Sequence, residues 1–140
     1  MIEKDNKGKL LLDSLTGTRL LGTVQAGWPS PAEEELVDTM SLDEYLIKHP
    51  DQTFLIKVTG DSMIDAYIKE GDLVLVERGR QAKHGDIVIA QVDNEWTMKY
   101  YEKLGTKVRL VAANKKYSPI IPKAELVIGG VVTAVIRKYK

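Results

Sequence analysis

Ser62 and Lys99 are the strongest candidates for chemistry in this 140-residue chain. Ser62 follows Gly60 and Asp61 after an apolar run, which predicts a hydroxyl at a strand end where a helical turn begins. A serine hydroxyl is a weak nucleophile at neutral pH and needs a neighbouring base. A lysine serves as that base when burial strips its ammonium of water and lowers its pKa. Lys99 interrupts the β-prone, aromatic-rich run Trp96 to Tyr101, where a charged side chain is unexpected.

Other residue types offer weaker candidates. Each of the two histidines adjoins a turn signal, His49 before Pro50 and His84 before Gly85. The chain has no cysteine, which excludes a thiol nucleophile, a disulfide scaffold and a thiolate metal site. We predict neither a metal site nor a cofactor. Spacing alone favours a simpler interpretation, in which an ordinary turn serine and a solvent-exposed strand lysine do no chemistry together.

Length and composition indicate one compact domain with a short appendage. Single domains most often hold about 100 to 150 residues, and 44% of this chain is hydrophobic, which is enough for a core. The formal net charge is zero, so the chain lacks the excess of lysine and arginine that is typical of a dedicated DNA-binding protein. There is no apolar run near the ~20 residues of a membrane helix and no secretory leader. The sequence therefore predicts a soluble, cytoplasmic protein without membrane contact.

The N-terminal part is predicted to hold a flexible arm, residues 1–30, followed by two short helices. The arm is too short for a helix-turn-helix, so we predict no sequence-specific DNA binding. Pro31 to Met40 is predicted as a helix, with proline in its first turn and three glutamates near its positive end. Ser41 and Glu44 have the spacing of a capping box, which predicts a second helix ending at Ile47.

From Thr53 onward, β-prone runs alternate with turn signals. The predicted strands are Thr53 to Val58, Leu73 to Glu77, Ile87 to Val92, Glu95 to Glu102, Val108 to Ala112 and Leu126 to Arg137. Asp93-Asn94 between two such runs predicts a β-hairpin. Val131 to Ile136 is either a buried core strand or an edge strand for dimerisation. These strands predict a mainly β domain over residues 31–140, with a small, strongly bent or barrel-like sheet.

Four blocks of sequence extend this interpretation. They are Gly60-Asp61-Ser62-Met63-Ile64-Asp65, Glu70-Gly71-Asp72-Leu73-Val74, His84-Gly85-Asp86-Ile87-Val88-Ile89-Ala90 and Trp96-Thr97-Met98-Lys99. In content and order they resemble the self-cleaving serine-lysine peptidase family that contains the LexA repressor and the UmuD mutagenesis protein. The resemblance covers about residues 24 to 136 and implies that family's β fold.

The resemblance also implies a reaction. Neutral Lys99 takes the proton of Ser62, and Ser62 attacks the carbonyl of Ala26 and displaces the amine of Gly27. Backbone N–H groups of Asp61 and Ser62 hold the oxyanion. On composition alone, a plain proline-rich linker is the preferred interpretation of the segment around the Ala26-Gly27 bond, and the presence of a Ser-Lys pair in the same chain reverses that preference.

Positioning and control of the base are further expectations. Thr97 lies two residues before Lys99 and shares its face of the strand, so its hydroxyl is a candidate for orienting the amine. Because the target bond belongs to the same chain, its effective concentration is high. Control must therefore come from holding the arm out of the cleft or from keeping Lys99 protonated.

Within the family, the segment Val24 to Ala32 most resembles the UmuD type. That resemblance implies a homodimer whose self-cleavage is stimulated by RecA filaments on single-stranded DNA in the SOS response. The processed dimer then serves as accessory subunit of an error-prone Y-family DNA polymerase in translesion synthesis. Two alternatives stay open: the C-terminal peptidase domain of a LexA-like or phage-type repressor, and a non-catalytic module that binds polymerase or RecA.

Overall fold

The structure, a computed structural model, describes residues 18–19 and 39–140, which fall into two units. The first unit, up to Lys48, contains the strands β1 (Thr18–Arg19) and β2 (Thr39–Met40) and the helix α1 (Leu42–Leu46). The two strands pair antiparallel. No helix in the described ranges combines the length and the apolar character that crossing a bilayer requires.

The two predicted helices have different outcomes. Ser41 begins α1 as predicted, because its side-chain oxygen accepts a hydrogen bond from the Glu44 N–H at 3.4 Å. The helix ends at Leu46, one residue before the predicted end. The helix predicted for Pro31 to Met40 is wrong at its last two residues, which pair as β2. The rest of that prediction lies outside the described residues.

The second unit, His49–Lys140, is built on one six-stranded antiparallel sheet. Its strands are β3 (Thr53–Lys57), β4 (Leu73–Glu77), β5 (Ile87–Val92), β6 (Glu95–Leu104), β7 (Lys107–Val111) and β8 (Val127–Ile136). Their order across the sheet is β3-β4-β8-β5-β6-β7. The fold is mainly β, as predicted, and β8 is an internal strand.

Local irregularities bend this sheet. The pairing register of β8 shifts against β4 between Leu75 and Val76, and against β5 between Ile89 and Ala90. Such bulges bend a strand and increase its twist. The predicted hairpin joins β5 to β6, and its two turn residues, Asp93-Asn94, have φ angles of 50° and 66°. Positive φ at both positions matches a type I′ turn, the connection that suits the twist of a hairpin.

Two apolar clusters form the core of this unit. One contains Met63, Ile68 and Val74 and lies under the turn that carries Ser62. The other contains the buried side chains Val88, Ala90, Leu110 and Val131. Met63 is only 1% exposed, so burial of this side chain fixes the chain directly after the serine.

Candidate active site

The turn that presents Ser62 lies between β3 and a single 3₁₀ turn, Ile64–Ala66. Gly60 has a φ of +81°, a conformation that favours glycine and that reverses the chain after the strand. The buried Met63 anchors the far side of the turn. Ser62 is therefore presented between a strand end and a helical turn, where the sequence predicted it.

Lys99 lies on β6, and its side chain reaches Ser62. The amine nitrogen Nζ is 3.1 Å from Ser62 Oγ, 2.6 Å from Thr97 Oγ1 and 3.2 Å from the Met98 carbonyl oxygen. The residue is only 7% exposed. Burial lowers the pKa of the Lys99 amine below its ordinary value, since a charged ammonium loses solvation there.

The three oxygens around Nζ determine what each protonation state of Lys99 can do. An ammonium has three N–H donors, so all three oxygens then accept hydrogen bonds from it. A neutral amine has two N–H donors and one lone pair. When Thr97 Oγ1 and the Met98 carbonyl accept the two N–H groups, the lone pair is left for the Ser62 hydroxyl proton. In that arrangement the lone pair of a neutral Lys99 faces the Ser62 hydroxyl.

The backbone beside Ser62 has unused donors. Neither the Asp61 N–H nor the Ser62 N–H donates to an acceptor within the described part of the chain. Backbone N–H groups next to a nucleophile stabilise the negative oxygen of a tetrahedral intermediate. Their role as an oxyanion hole stays a prediction.

A cleft of about 550 Å³ opens beside Ser62 and Thr97. Apolar side chains of β3, β4, β5 and β6 line it. Phe54 and Trp96 keep about half of their surface exposed, and the Arg78 guanidinium lies 5.4 Å from the centre of the Phe54 ring. A largely apolar cleft beside strands suits an extended peptide segment.

Comparison with known proteins assigns the chain to a family. Residues 19–133 match the family described as Peptidase S24-like. The chain belongs to this family. Relatives include LexA repressors from Clostridium perfringens strain ATCC 13124 (38% identical over 139 residues, 99% of this chain and 66% of the relative) and Shewanella oneidensis (41% over 128 residues, 89% and 62%).

A third relative, the LexA repressor of Clostridium novyi, is 40% identical over 121 residues and covers 86% of this chain. The chain spans 59 to 66% of the length of these three relatives. The resemblance to the family of LexA and UmuD is thereby confirmed. The narrower UmuD assignment is not decided by these names.

The structure of this S24-like chain brings together three of the predicted site residues, Ser62, Lys99 and Thr97. Their catalytic roles stay predictions. The predicted scissile bond, Ala26-Gly27, lies outside the described residues. The Asp65 N–H donates to the Ala113 carbonyl oxygen at 2.7 Å.

The sequence analysis missed three residues that contact Asp61 in this S24-like site. They are Asn114, Lys116 and Tyr117, from the loop after β7. No local pattern predicts contacts between residues 53 to 56 positions apart, because such contacts depend on the sheet topology.

Proposed function

We propose that the chain is a serine-lysine endopeptidase that cleaves its own Ala26–Gly27 bond. The observation that supports this is the buried Lys99 amine, 3.1 Å from the Ser62 hydroxyl, beside an apolar cleft. A buried lysine is uncommon unless it is paired or functional, and Lys99 contacts only neutral oxygens within the described residues. Membership of the S24-like peptidase family agrees with this chemistry.

The proposed reaction has two stages. Neutral Lys99 accepts the Ser62 proton while Ser62 Oγ bonds to the carbonyl carbon of Ala26. The intermediate collapses as the C–N bond breaks, and Lys99 returns the proton to the amine of Gly27. In the second stage Lys99 takes a proton from water, the resulting hydroxide attacks the Ala26 ester, the C–O bond to Ser62 breaks, and Lys99 returns the proton to Ser62 Oγ. No other reactant is consumed.

Mass spectrometry of the purified protein tests this proposal. After incubation near pH 10, we expect a fragment that begins at Gly27. The Ser62→Ala and Lys99→Ala variants should not produce it, whereas the surface variants Thr106→Ala and Lys103→Ala, which remove an exposed hydroxyl and an exposed amine, should cleave at the wild-type rate. A Gly27 fragment from Ser62→Ala, or none from the wild type, contradicts the peptidase function and leaves a non-catalytic binding module.

For the biological role, we propose a UmuD-type mutagenesis protein of the SOS response. Its arm, residues 1–30, holds the cleavage site, and residues 31–140 form the peptidase and dimerisation domain. RecA filaments on single-stranded DNA stimulate the cut, and the processed homodimer joins an error-prone Y-family DNA polymerase for translesion synthesis. The segment Val24 to Ala32 supports this choice, because its Val-Gln-x-Gly-aromatic-Pro-Ser-Pro-Ala pattern resembles the UmuD type.

A second candidate is the peptidase part of a LexA-like repressor. The names of the relatives favour it, because all three are LexA repressors that share 38 to 41% of aligned residues with this chain. Those names also weigh against the expectation that the protein makes no sequence-specific contact with DNA. Cleavage of a repressor should weaken operator binding, whereas cleavage of a UmuD-type protein should strengthen polymerase binding.

Binding assays before and after cleavage separate the two roles. The uncut Ser62→Ala protein and the Gly27 fragment are each titrated against a Y-family polymerase and against promoter DNA of damage-inducible genes. Tighter polymerase binding by the fragment supports the UmuD type. DNA binding by the uncut protein that the fragment loses supports the repressor.

A further inference from the structure

Asp61, the residue before Ser62, is held by the loop that follows β7, here called the anchor loop (residues 112–119). The Asn114 amide donates to the Asp61 carbonyl oxygen at 2.9 Å, and the Tyr117 hydroxyl donates to the Asp61 carboxylate at 2.5 Å. The Lys116 ammonium lies 2.6 Å from the same carboxylate. Both the backbone and the side chain of Asp61 are therefore fixed by one distant segment.

The anchor loop is itself held closed. At its base, Leu110 and Ile120 exchange two backbone hydrogen bonds, each of 2.8 Å, and Leu110 is fully buried. Within the loop, Asn114 Oδ1 accepts from the Lys116 N–H at 3.1 Å, and the Asn114 carbonyl accepts from the Tyr117 N–H at 3.1 Å. These contacts within the loop fix the positions of Asn114 and Tyr117 independently of their hydrogen bonds to Asp61.

The anchor loop also leads back to the base. The strand before it, β7, pairs with β6 through Tyr100–Val111 and Tyr101–Leu110, directly after Lys99. A continuous path therefore runs from Lys99 through two paired strands and the anchor loop to Asp61. This path connects Lys99 to the residue before Ser62 and does not include the direct contact between Lys99 Nζ and Ser62 Oγ.

We propose that Asn114 and Tyr117 are positioning residues, which hold Asp61 so that Ser62 Oγ stays within reach of the Lys99 amine. The proposal rests on the proposed peptidase function. A displacement of reacting groups by about 1 Å can cost on the order of 100-fold in rate, so such a tether matters for catalysis. Asp61 and Ser62 belong to neither a strand nor the following 3₁₀ turn, so the anchor loop holds the chain before the serine as the buried Met63 holds the chain after it.

The three contacts to Asp61 differ in their expected weight. The Lys116 side chain is 62% exposed, and ion pairs in water contribute little because solvent screens them. The Tyr117 bond suits alkaline conditions, since the Asp61 carboxylate raises the pKa of the Tyr117 phenol. The phenol therefore keeps its proton to a higher pH than an ordinary tyrosine does.

Amide hydrogen exchange tests the tether without relying on activity. In Asn114→Ala and Tyr117→Phe, built on Ser62→Ala to prevent cleavage, we expect faster exchange over residues 60–65 and unchanged exchange in β5 and β8. Lys116→Gln, which alters the exposed partner of the same carboxylate, should exchange as its parent does. Unchanged exchange over residues 60–65 in both test variants overturns the proposal, whether or not the wild type cleaves itself.

The pH profile of self-cleavage then tests the link to catalysis. With Ser62 intact, Asn114→Ala and Tyr117→Phe should lower the alkaline plateau rate by roughly 10- to 100-fold. The midpoint of the profile, which reports the Lys99 pKa, and the melting temperature should change little. A plateau within twofold of wild type overturns the positioning role, and so does a loss fully explained by unfolding. If the wild type does not cleave itself, the proposed peptidase function is contradicted. The hydrogen-exchange result still shows whether Asn114 and Tyr117 hold residues 60–65 in place.

Discussion

At Lys99 a titratable amine is buried against three uncharged oxygens, so its protonation state decides what the site can do. Burial lowers the pKa of the amine below 10.5, and only the neutral form has a lone pair for the Ser62 proton. The fraction in that form rises as pH rises through the lowered pKa. Below that pKa, the small neutral fraction should therefore limit the rate of cleavage.

The first prediction concerns this pH dependence. The rate of self-cleavage should increase about tenfold per pH unit below the Lys99 pKa and level off above it, because one deprotonation controls the base. The plateau should begin below pH 10.5, the ordinary value for lysine. Quantifying the Gly27 fragment by mass spectrometry from pH 6 to 11 measures the profile. A rate that falls with rising pH would contradict the assignment of Lys99 as base.

The second prediction concerns Thr97, whose Oγ1 lies 2.6 Å from Nζ. Thr97→Val keeps the shape and β-branching of the side chain but removes the acceptor that directs one N–H away from Ser62. We expect the plateau rate to fall by roughly tenfold, a part of the 10²–10⁴-fold that a positioned base contributes. Thr133→Val, which removes a hydroxyl bond to the Leu75 carbonyl in the same sheet, should cleave at the wild-type rate. Equal rates in Thr97→Val and wild type would exclude the orienting role.

At the scale of the strand, β8 contains two glycines, Gly129 and Gly130, whose neighbours leave no room for a Cβ atom. A Cβ at Gly129 would lie 2.7 Å from Cζ3 of Trp96, an exposed ring that lines the cleft. A Cβ at Gly130 would lie 2.5 Å from Val76 and 2.9 Å from the Glu77 carbonyl oxygen. The first neighbour is the far end of a side chain, whereas the second includes backbone of β4.

This difference gives the third prediction. Gly130→Ala should lower the free energy of unfolding by about 1–3 kcal/mol, the range for overpacking a tight site. Gly129→Ala should displace the indole of Trp96 and reduce cleavage several-fold, while the melting temperature changes little. Thermal unfolding and cleavage rates of the two variants are compared directly. Equal loss of stability in both variants would mean that Trp96 is as rigidly held as the backbone.

At the scale of the whole molecule, one ion pair joins the C-terminal end of the sheet to the turn before β4. Arg137 donates to both carboxylate oxygens of Asp72 at 2.7 Å and to the Tyr67 carbonyl oxygen at 3.0 Å. Asp72 also accepts from the Lys69 N–H at 2.8 Å. The Arg137 guanidinium, with the Lys69 N–H second, lowers the pKa of Asp72 to about 2.

The fourth prediction follows from this pair. A carboxyl group with a depressed folded-state pKa stabilises the fold above its unfolded value of 3.8, and that stability is lost as pH falls toward 2. Asp72→Asn should therefore be less stable than wild type at neutral pH. The difference should shrink between about pH 4 and pH 2, as measured by denaturant unfolding followed by circular dichroism.

The chain contains a matched control for this experiment. Asp86 accepts from the Lys83 N–H at 2.8 Å in an equivalent turn, after Gly85 with a φ of +92°, and among the described residues it meets no guanidinium. Asp86→Asn should lose less stability at neutral pH than Asp72→Asn. Equal losses in the two variants would assign the effect to the turn and not to Arg137.

Much of the fold could be predicted because its signals are local. Alternating β-prone runs and turn residues predicted every strand of the sheet to within two residues at each end. Asp93-Asn94 predicted the hairpin, since short polar residues tolerate the positive φ that its turn requires. Thr39 and Met40 were assigned wrongly to a helix, because their conformation follows from pairing with β1 and not from their neighbours in sequence.

The sequence by itself predicted the types of most elements, and its motifs indicated the family and singled out Ser62 and Lys99, because residue types, turn chemistry and motif order are all present in the chain before it folds. Tertiary structure alone decided that β8 is internal, since strand order depends on long-range pairing. It also decided that Asn114 and Tyr117 meet Asp61, and that Lys99 is buried within 3.1 Å of Ser62. These contacts and the lowered pKa of Lys99 arise only when distant segments exclude water from one site.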